Sequence, residues 1–155
     1  MISVVFVCTG NLCRSPMAEG ILRDRWLKRG RGDLTVSSMG IHGLDSQPAS
    51  QHAREVCAEH GIDISPHRSR QLVYEELEGA HLVLAMEPVQ KEFVGLFFPR
   101  FKDKVFLLGA WPGKETRKST ISDPMGQSIR MYRRTFETIA EHIDRIIPSI
   151  EEFYG

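Results

Sequence analysis

Cys8 and Arg14, with five residues between them, have the types and spacing for covalent phosphoryl chemistry. They belong to the stretch Val4-Val5-Phe6-Val7-Cys8-Thr9-Gly10-Asn11-Leu12-Cys13-Arg14-Ser15-Pro16. There an apolar β-branched run stops at a cysteine, crosses a short loop and meets Pro16 and a helical pattern. Strand, loop and helix in that order make an anion site. Amides at a helix N-terminus have no intrahelical partner, and the helix dipole favours negative charge there. The amides of Thr9, Gly10, Asn11, Leu12, Cys13, Arg14 and Ser15 would then surround a phosphate-sized dianion, and Arg14 would add two parallel charge-assisted bonds. A phosphate monoester repels ordinary nucleophiles, so a soft thiolate is the suitable attacker. A helix N-terminus and an arginine both favour the thiolate of Cys8, and Ser15 is placed to donate to it. Asn11 suits a left-handed backbone conformation, from which its side chain ties the loop in shape.

Other readings of these residues are weaker. A cysteine ending a buried strand is often only a small hydrophobe. Cys8 and Cys13 would be half of a zinc site, but no second pair follows at ligand spacing, and Cys57 sits alone on a helical pattern as a core residue. No metal site is expected. Neither GxxxxGK followed by Ser or Thr, nor GxGxxG, follows the first strand, so nucleotide binding is unsupported and no cofactor is implied.

The elements that must position these groups alternate. Ile2 to Val7 reads as a central strand covered on both faces. A helix from Pro16 carries Met17, Ile21, Leu22 and Trp26 on one face and ends at Gly30 and Gly32, with Arg23, Asp24, Arg25, Lys28 and Arg29 mostly on a solvated face. Leu34 to Met39 is a second strand and Gly40 to Gln47 a loop. Pro48 suits the first turn of a helix carrying Ala49, Ala53, Val56 and Cys57 and ending at Gly61. Ile62 to Arg70 is a polar connection expected to lie under the phosphate loop, followed by a short helical stretch from Leu72 to Leu77. Ala80 to Met86 and Val105 to Leu108 are the third and fourth strands, with a helix over Pro88 to Phe98 between them. Trp111 to Ser122 is a long loop opening onto Asp123-Pro124-Met125-Gly126. From Ile129 the positions Tyr132, Phe136, Ile139, Ala140, Ile143 and Ile147 form the clearest amphipathic helix, which Pro148 should kink or end. The pattern implies an α/β fold: a single doubly wound domain, residues 1–155, with a roughly four-stranded parallel sheet, helices on both faces and the ligand beyond the strands' carboxyl ends.

The bulk properties narrow the class. With 41% hydrophobic and 26% charged residues the composition is that of an ordinary globular domain. Twenty basic and twenty acidic side chains cancel, so no whole-molecule field argues for nucleic acid or a membrane surface. No apolar run approaches the roughly 20 residues of a membrane span, and no basic leader precedes the first strand, so a soluble cytoplasmic protein is expected. Three cysteines, two of them in the loop, suit a reducing compartment rather than a disulfide framework.

The segment from Cys8 to Pro16, the distant Asp123-Pro124 and the intervening His67-Arg68-Ser69-Arg70 together resemble the low-molecular-weight protein tyrosine phosphatases, along the whole chain. The resemblance implies hydrolysis of phosphotyrosine monoesters through a cysteinyl-phosphate. Cys8 is then the nucleophile, Arg14 the phosphate clamp and Asp123 the general acid of the first step and general base of the second, although an Asp-Pro alone is usually only a turn. It also implies that Ser38 and His67 belong to the network holding Asn11 and Ser15. For Cys13 it suggests a reversible disulfide with Cys8, a packed thiol being the alternative. Leu12, Leu44 and Met125 are candidates for an apolar rim that selects aryl phosphates. The chain departs from the best-known members, which carry tyrosines after the Asp-Pro; Met125-Gly126 removes them. Some bacterial members hydrolyse phosphoarginine and carry threonine where this chain has Leu12, so Leu12 favours phosphotyrosine. The implied partners are phosphotyrosine-containing proteins, with inorganic phosphate or another oxyanion in the loop, and the protein is expected to be a monomer. Two rivals remain. An arsenate reductase needs resolving cysteines after the third strand, where this chain has none, and a non-catalytic phosphate-binding module would be expected to lose the nucleophile or the acid.

Overall fold

The computed structural model describes residues 1–155. The central strand β1 (Ile2–Cys8) alternates between two cores, because the sheet is covered on both faces. Ile2, Val4, Phe6 and Cys8 enter the larger one and Val5 and Val7 the smaller. Around β1 run β2 (Leu34–Gly40), β3 (Leu82–Ala85) and β4 (Val105–Leu107), all parallel, in the order β2-β1-β3-β4. The chain winds outward from β1 to β2 and returns past β1 to reach β3. The loops after β1 and β3 therefore diverge at a switch point, where open parallel sheets bind their ligands.

On the larger core's face lie α1 (Arg14–Lys28), α2 (Gln51–Glu59) and α5 (Ile129–Tyr154). The other face is covered by α3 (Tyr74–Gly79) and α4 (Pro88–Phe97), with a 3-10 turn over Pro99–Lys104 leading into β4. A second short 3-10 turn, Arg117–Ser119, interrupts the long loop before Asp123. No helix is long and apolar enough to cross a membrane.

Several boundaries differ from the sequence pattern, each for a local reason. Helix α1 starts at Arg14, ahead of Pro16, which its first turn tolerates because the missing N–H would have no acceptor there. Pro48 lies outside α2: the Ser50 amide donates to Leu12 O at 2.9 Å, which holds Ser50 extended as the N-cap, and the helix begins at Gln51. Leu72 and Val73 precede α3 because Gln71 bridges to Gly40 and the Val73 amide donates to Met39 Sδ. The third strand is trimmed to four residues and the fourth to three. Pro148 does not end α5, which continues to Tyr154. Beyond it Ile150 is buried, and Glu151 pairs with Arg29 and Arg31 at the end of α1. Arg25 likewise reaches Asp144 of α5 at 3.1 Å, so much of the expected solvated basic face joins the two helices instead.

Candidate active site

The loop between β1 and α1 is shaped by Asn11, whose φ of 58° places it in the left-handed region. Its side chain is saturated. Nδ2 donates to Ser15 Oγ at 2.8 Å and to Ser38 Oγ at 3.0 Å, while Oδ1 accepts from the Arg70 amide at 3.0 Å. The Asn11 carbonyl meets His67 Nε2 at 2.8 Å. Ser38 and His67 thus hold Asn11, and Asn11 holds Ser15. Neutral His67 donates here, a state burial favours by lowering its pKa despite the carbonyl contact and nearby Glu19. Beneath the loop β2 ends in Gly40, where a Cβ would lie 2.6 Å from Thr9 O and 3.0 Å from the Asn11 nitrogen, so only glycine fits.

The directions of these bonds converge on Cys8. Ser38 Oγ donates to Glu19 Oε1 at 2.8 Å and so accepts from Asn11. Ser15 also accepts from Asn11, which leaves its own proton for Cys8 Sγ, 2.9 Å away. The Asn11 amide reaches the same sulfur at 3.3 Å. Two donors aimed at one sulfur stabilise an anion there. Meanwhile the amides of Thr9, Gly10, Leu12, Cys13, Arg14 and Ser15 donate to no acceptor within the chain, as an anion cradle requires.

Arg14 closes the cradle although it is only 1% exposed. Nη1 is fixed by Glu87 and by Ile121 O at 2.8 Å. Its Nε is buried without a partner, and Nη2 has only Asp123 Oδ2 at 3.5 Å. The Nε/Nη2 edge is therefore the one free for an oxyanion, which matches a bidentate clamp. Glu87 is held in turn by Gln90, whose Nε2 also donates to Thr9 Oγ1 at 3.1 Å. Asp123 is half-exposed. Its Oδ1 accepts from the Met125 amide at 3.0 Å, which turns Oδ2 toward Arg14. The loop carrying it is tied to β3 through the Ile121 amide on Met86 O.

Cys8, Arg14 and Asp123 line one crevice of about 230 Å³, together with Thr9, Gly10, Cys13 and the rim residues Leu12, Leu44 and Met125. His42 joins them. Cys13 directs its sulfur to Ser50 Oγ and Tyr132 Oη, both at 3.3 Å, and burial raises its thiol pKa. Burial likewise pushes Tyr132 up to about 12. Cys57 lies in the larger core, where burial pushes its thiol up to about 12 and keeps it protonated. No three His, Cys, Asp or Glu side chains converge so as to hold a metal ion. Sequence reasoning missed Glu87, Gln90, His42, Ser50 and Tyr132. Glu87 had a legible signal, since it follows a strand at the switch point and starts the capping sequence Glu87-Pro88-Val89-Gln90.

Comparison with known proteins agrees with this arrangement. Residues 3–153 match the family model described as low molecular weight phosphotyrosine protein phosphatase. A probable low molecular weight protein-tyrosine-phosphatase, EpsP of Ralstonia nicotianae, is 36% identical over 148 residues, covering 96% of this chain and 95% of that protein. The protein-arginine-phosphatase of Geobacillus stearothermophilus is also 36% identical over 148 residues, with the same coverage of each. Among solved structures, the YwlE arginine phosphatase mutant with a phosphorylated active site serine superposes with a TM-score of 0.92 at 32% identity, over 99% of this chain and 98% of that one. The Cys-x5-Arg loop, the parallel sheet that presents it and likeness over nearly the full chain lead to one conclusion: this chain belongs to the low molecular weight protein tyrosine phosphatases, a family of hydrolases.

Proposed function

We propose that the protein hydrolyses phosphotyrosine monoesters of proteins through a cysteinyl-phosphate at Cys8. The observation that carries this reading is the pair of donors on Cys8 Sγ, set in a loop of unpartnered amides that the free edge of Arg14 closes opposite Asp123. In the first step Sγ attacks phosphorus and the bond to the ester oxygen breaks. Asp123 gives its proton to that oxygen, and the phenol leaves neutral. In the second step the ionised Asp123 takes a proton from water, the hydroxide oxygen bonds to phosphorus and the S–P bond breaks, returning the thiolate and inorganic phosphate. The loop amides and Arg14 hold the three equatorial oxygens, where charge shifts in both transition states. No cofactor enters either step.

The crevice supports an aryl phosphate as the substrate class. Its side walls include Leu12, Leu44 and Met125, which suit an aryl ring better than a guanidinium. A phosphoarginine reading has support of its own in the relatives named as arginine phosphatases. The ratio of kcat/KM for phosphotyrosine and phosphoarginine peptides separates the two, and the apolar rim favours the former. Cys13 we read as the thiol available to Cys8 on oxidation, which requires its sulfur to leave Ser50 and Tyr132. We place the protein in the cytoplasm as a monomeric single domain.

The acid role of Asp123 is tested with Asp123→Ala on aryl phosphates of graded leaving-group acidity. The loss in kcat is expected to grow from about tenfold or less for the most acidic phenol toward about 10²- to 10⁴-fold for the least acidic. An equal loss across the series contradicts the assignment.

A further inference from the structure

The crevice accommodates one phosphorylated side chain, and a protein substrate must lay its flanking residues across the rim. Across the His42–Phe93 contact from the crevice lies an apolar groove. Ile41 and His42 follow β2, and their amides donate to Cys8 O at 3.0 Å and Thr9 O at 2.9 Å, so both are fixed to the phosphate loop. His42 lines the crevice, and its ring packs edge-on against Phe93 of α4, with centroids 5.6 Å apart. Phe93, Ile41, Leu72, Phe97 and Phe98 then line a groove of about 200 Å³ whose only polar lining residue is Gln71. His42, which lines the crevice, thus touches Phe93, which lines the groove.

The groove has a firm floor and an open top. Ile41 is buried within the smaller core beside Val5, Val7 and Met39, whereas Phe97 is 61% exposed and touches Phe93 with ring centroids 4.5 Å apart. Its lack of charge sets it apart from the wider surface grooves. Those are lined by Lys91, Glu92 and Glu115, or by Glu78, Arg100 and Lys104. An uncharged hollow linked to the crevice through the His42–Phe93 contact and the Ile41–His42 peptide is suited to an apolar side chain arriving on the same polypeptide as the phosphate.

We propose that this groove is a substrate subsite that takes a large apolar side chain flanking the phosphorylated residue of the protein substrate. The proposal rests on the phosphatase reading above. It makes Phe97 and Leu72 specificity-determining residues that play no part in the chemistry.

The test measures kcat/KM on phosphotyrosine peptides with Leu, Phe, Ser or Asp at each position flanking the phosphoresidue, and on p-nitrophenyl phosphate, which has no flanks. If phosphoarginine peptides turn over faster, the same set is built on them. One flanking position is expected to prefer Leu or Phe over Asp by about tenfold or more, and in Phe97→Ser and Leu72→Ser the preference should shrink to about twofold while p-nitrophenyl phosphate turnover is unchanged. Absence of any apolar preference overturns the subsite, as does a preference that survives both substitutions. A concentration-dependent dimer lost in Phe97→Ser would assign the groove to a second copy of the chain and also overturn it. Failure of the phosphatase reading is distinguishable, because the wild type would then release no phosphate from p-nitrophenyl phosphate either.

Discussion

Asn11 shows how much of the site depends on one side chain that never touches the reacting atoms. Its three hydrogen bonds to Ser15, Ser38 and Arg70, with His67 on the Asn11 backbone carbonyl, direct the Ser15 proton at Cys8, and its left-handed backbone shapes the loop. His67 adds a pH dependence. Its folded pKa lies below the ordinary 6.5, chiefly because it is buried, so the unfolded chain binds its proton more tightly. The contribution of neutral His67 is present above about pH 6.5 and is lost as pH falls through the folded value. The melting temperature is therefore expected to drop with acidification from neutral pH, before most carboxylates titrate, and to drop less in His67→Gln, whose amide still donates to Asn11 O. Parallel curves for the two proteins would remove His67 from that dependence. Cys8, Arg14 and Asn11 were legible in the sequence because their types and spacing are dictated by the loop itself, whereas Asp123 entered only through the family resemblance. Ser50 and Tyr132 were not legible, and of Glu87 only its capping sequence was. Each reaches the loop from 37 to 119 positions away, and only the sheet order and helix packing bring them in.

At the scale of elements, periodicity placed every strand and long helix, and errors fell where a tertiary contact outweighs a local signal. Pro48 lost the first turn of α2 to the Ser50–Leu12 bond, and of the two effects expected of Pro148, a kink or an end to α5, the end does not occur. Inside a helix a proline removes one backbone bond and crowds the carbonyl four residues earlier, here that of Asp144. Buried Ile147 and Ile150 and the pairs of Glu151 with Arg29 and Arg31 hold the last turns regardless. Because Pro148 is itself exposed, Pro148→Ala should stabilise the protein by about 1–3 kcal/mol in chemical denaturation. Unchanged or reduced stability would mean that the proline's ring packing or its restriction of the unfolded chain offsets the missing bond.

At the scale of the whole molecule, zero net charge leaves the proposed binding of a dianion to local design, and the fold concentrates that design at one switch point. The end of β1 supplies Cys8 and the loop after it the amides, the end of β3 supplies Glu87 to hold Arg14, and the long loop before α5 brings Asp123 across. The fold class was readable from the alternation of strands and helices; the order β2-β1-β3-β4, which decides which loops meet, was not. The most direct test of covalent catalysis at Cys8 is p-nitrophenyl phosphate turnover by the wild type and Cys8→Ser, without added metal, with acid-quenched samples of each analysed by mass spectrometry. The wild type should turn over and carry a phosphoryl group on the peptide containing Cys8, while Cys8→Ser loses turnover and still binds inorganic phosphate. Near-wild-type turnover by Cys8→Ser, or a phosphoryl group trapped on another residue, would contradict the account.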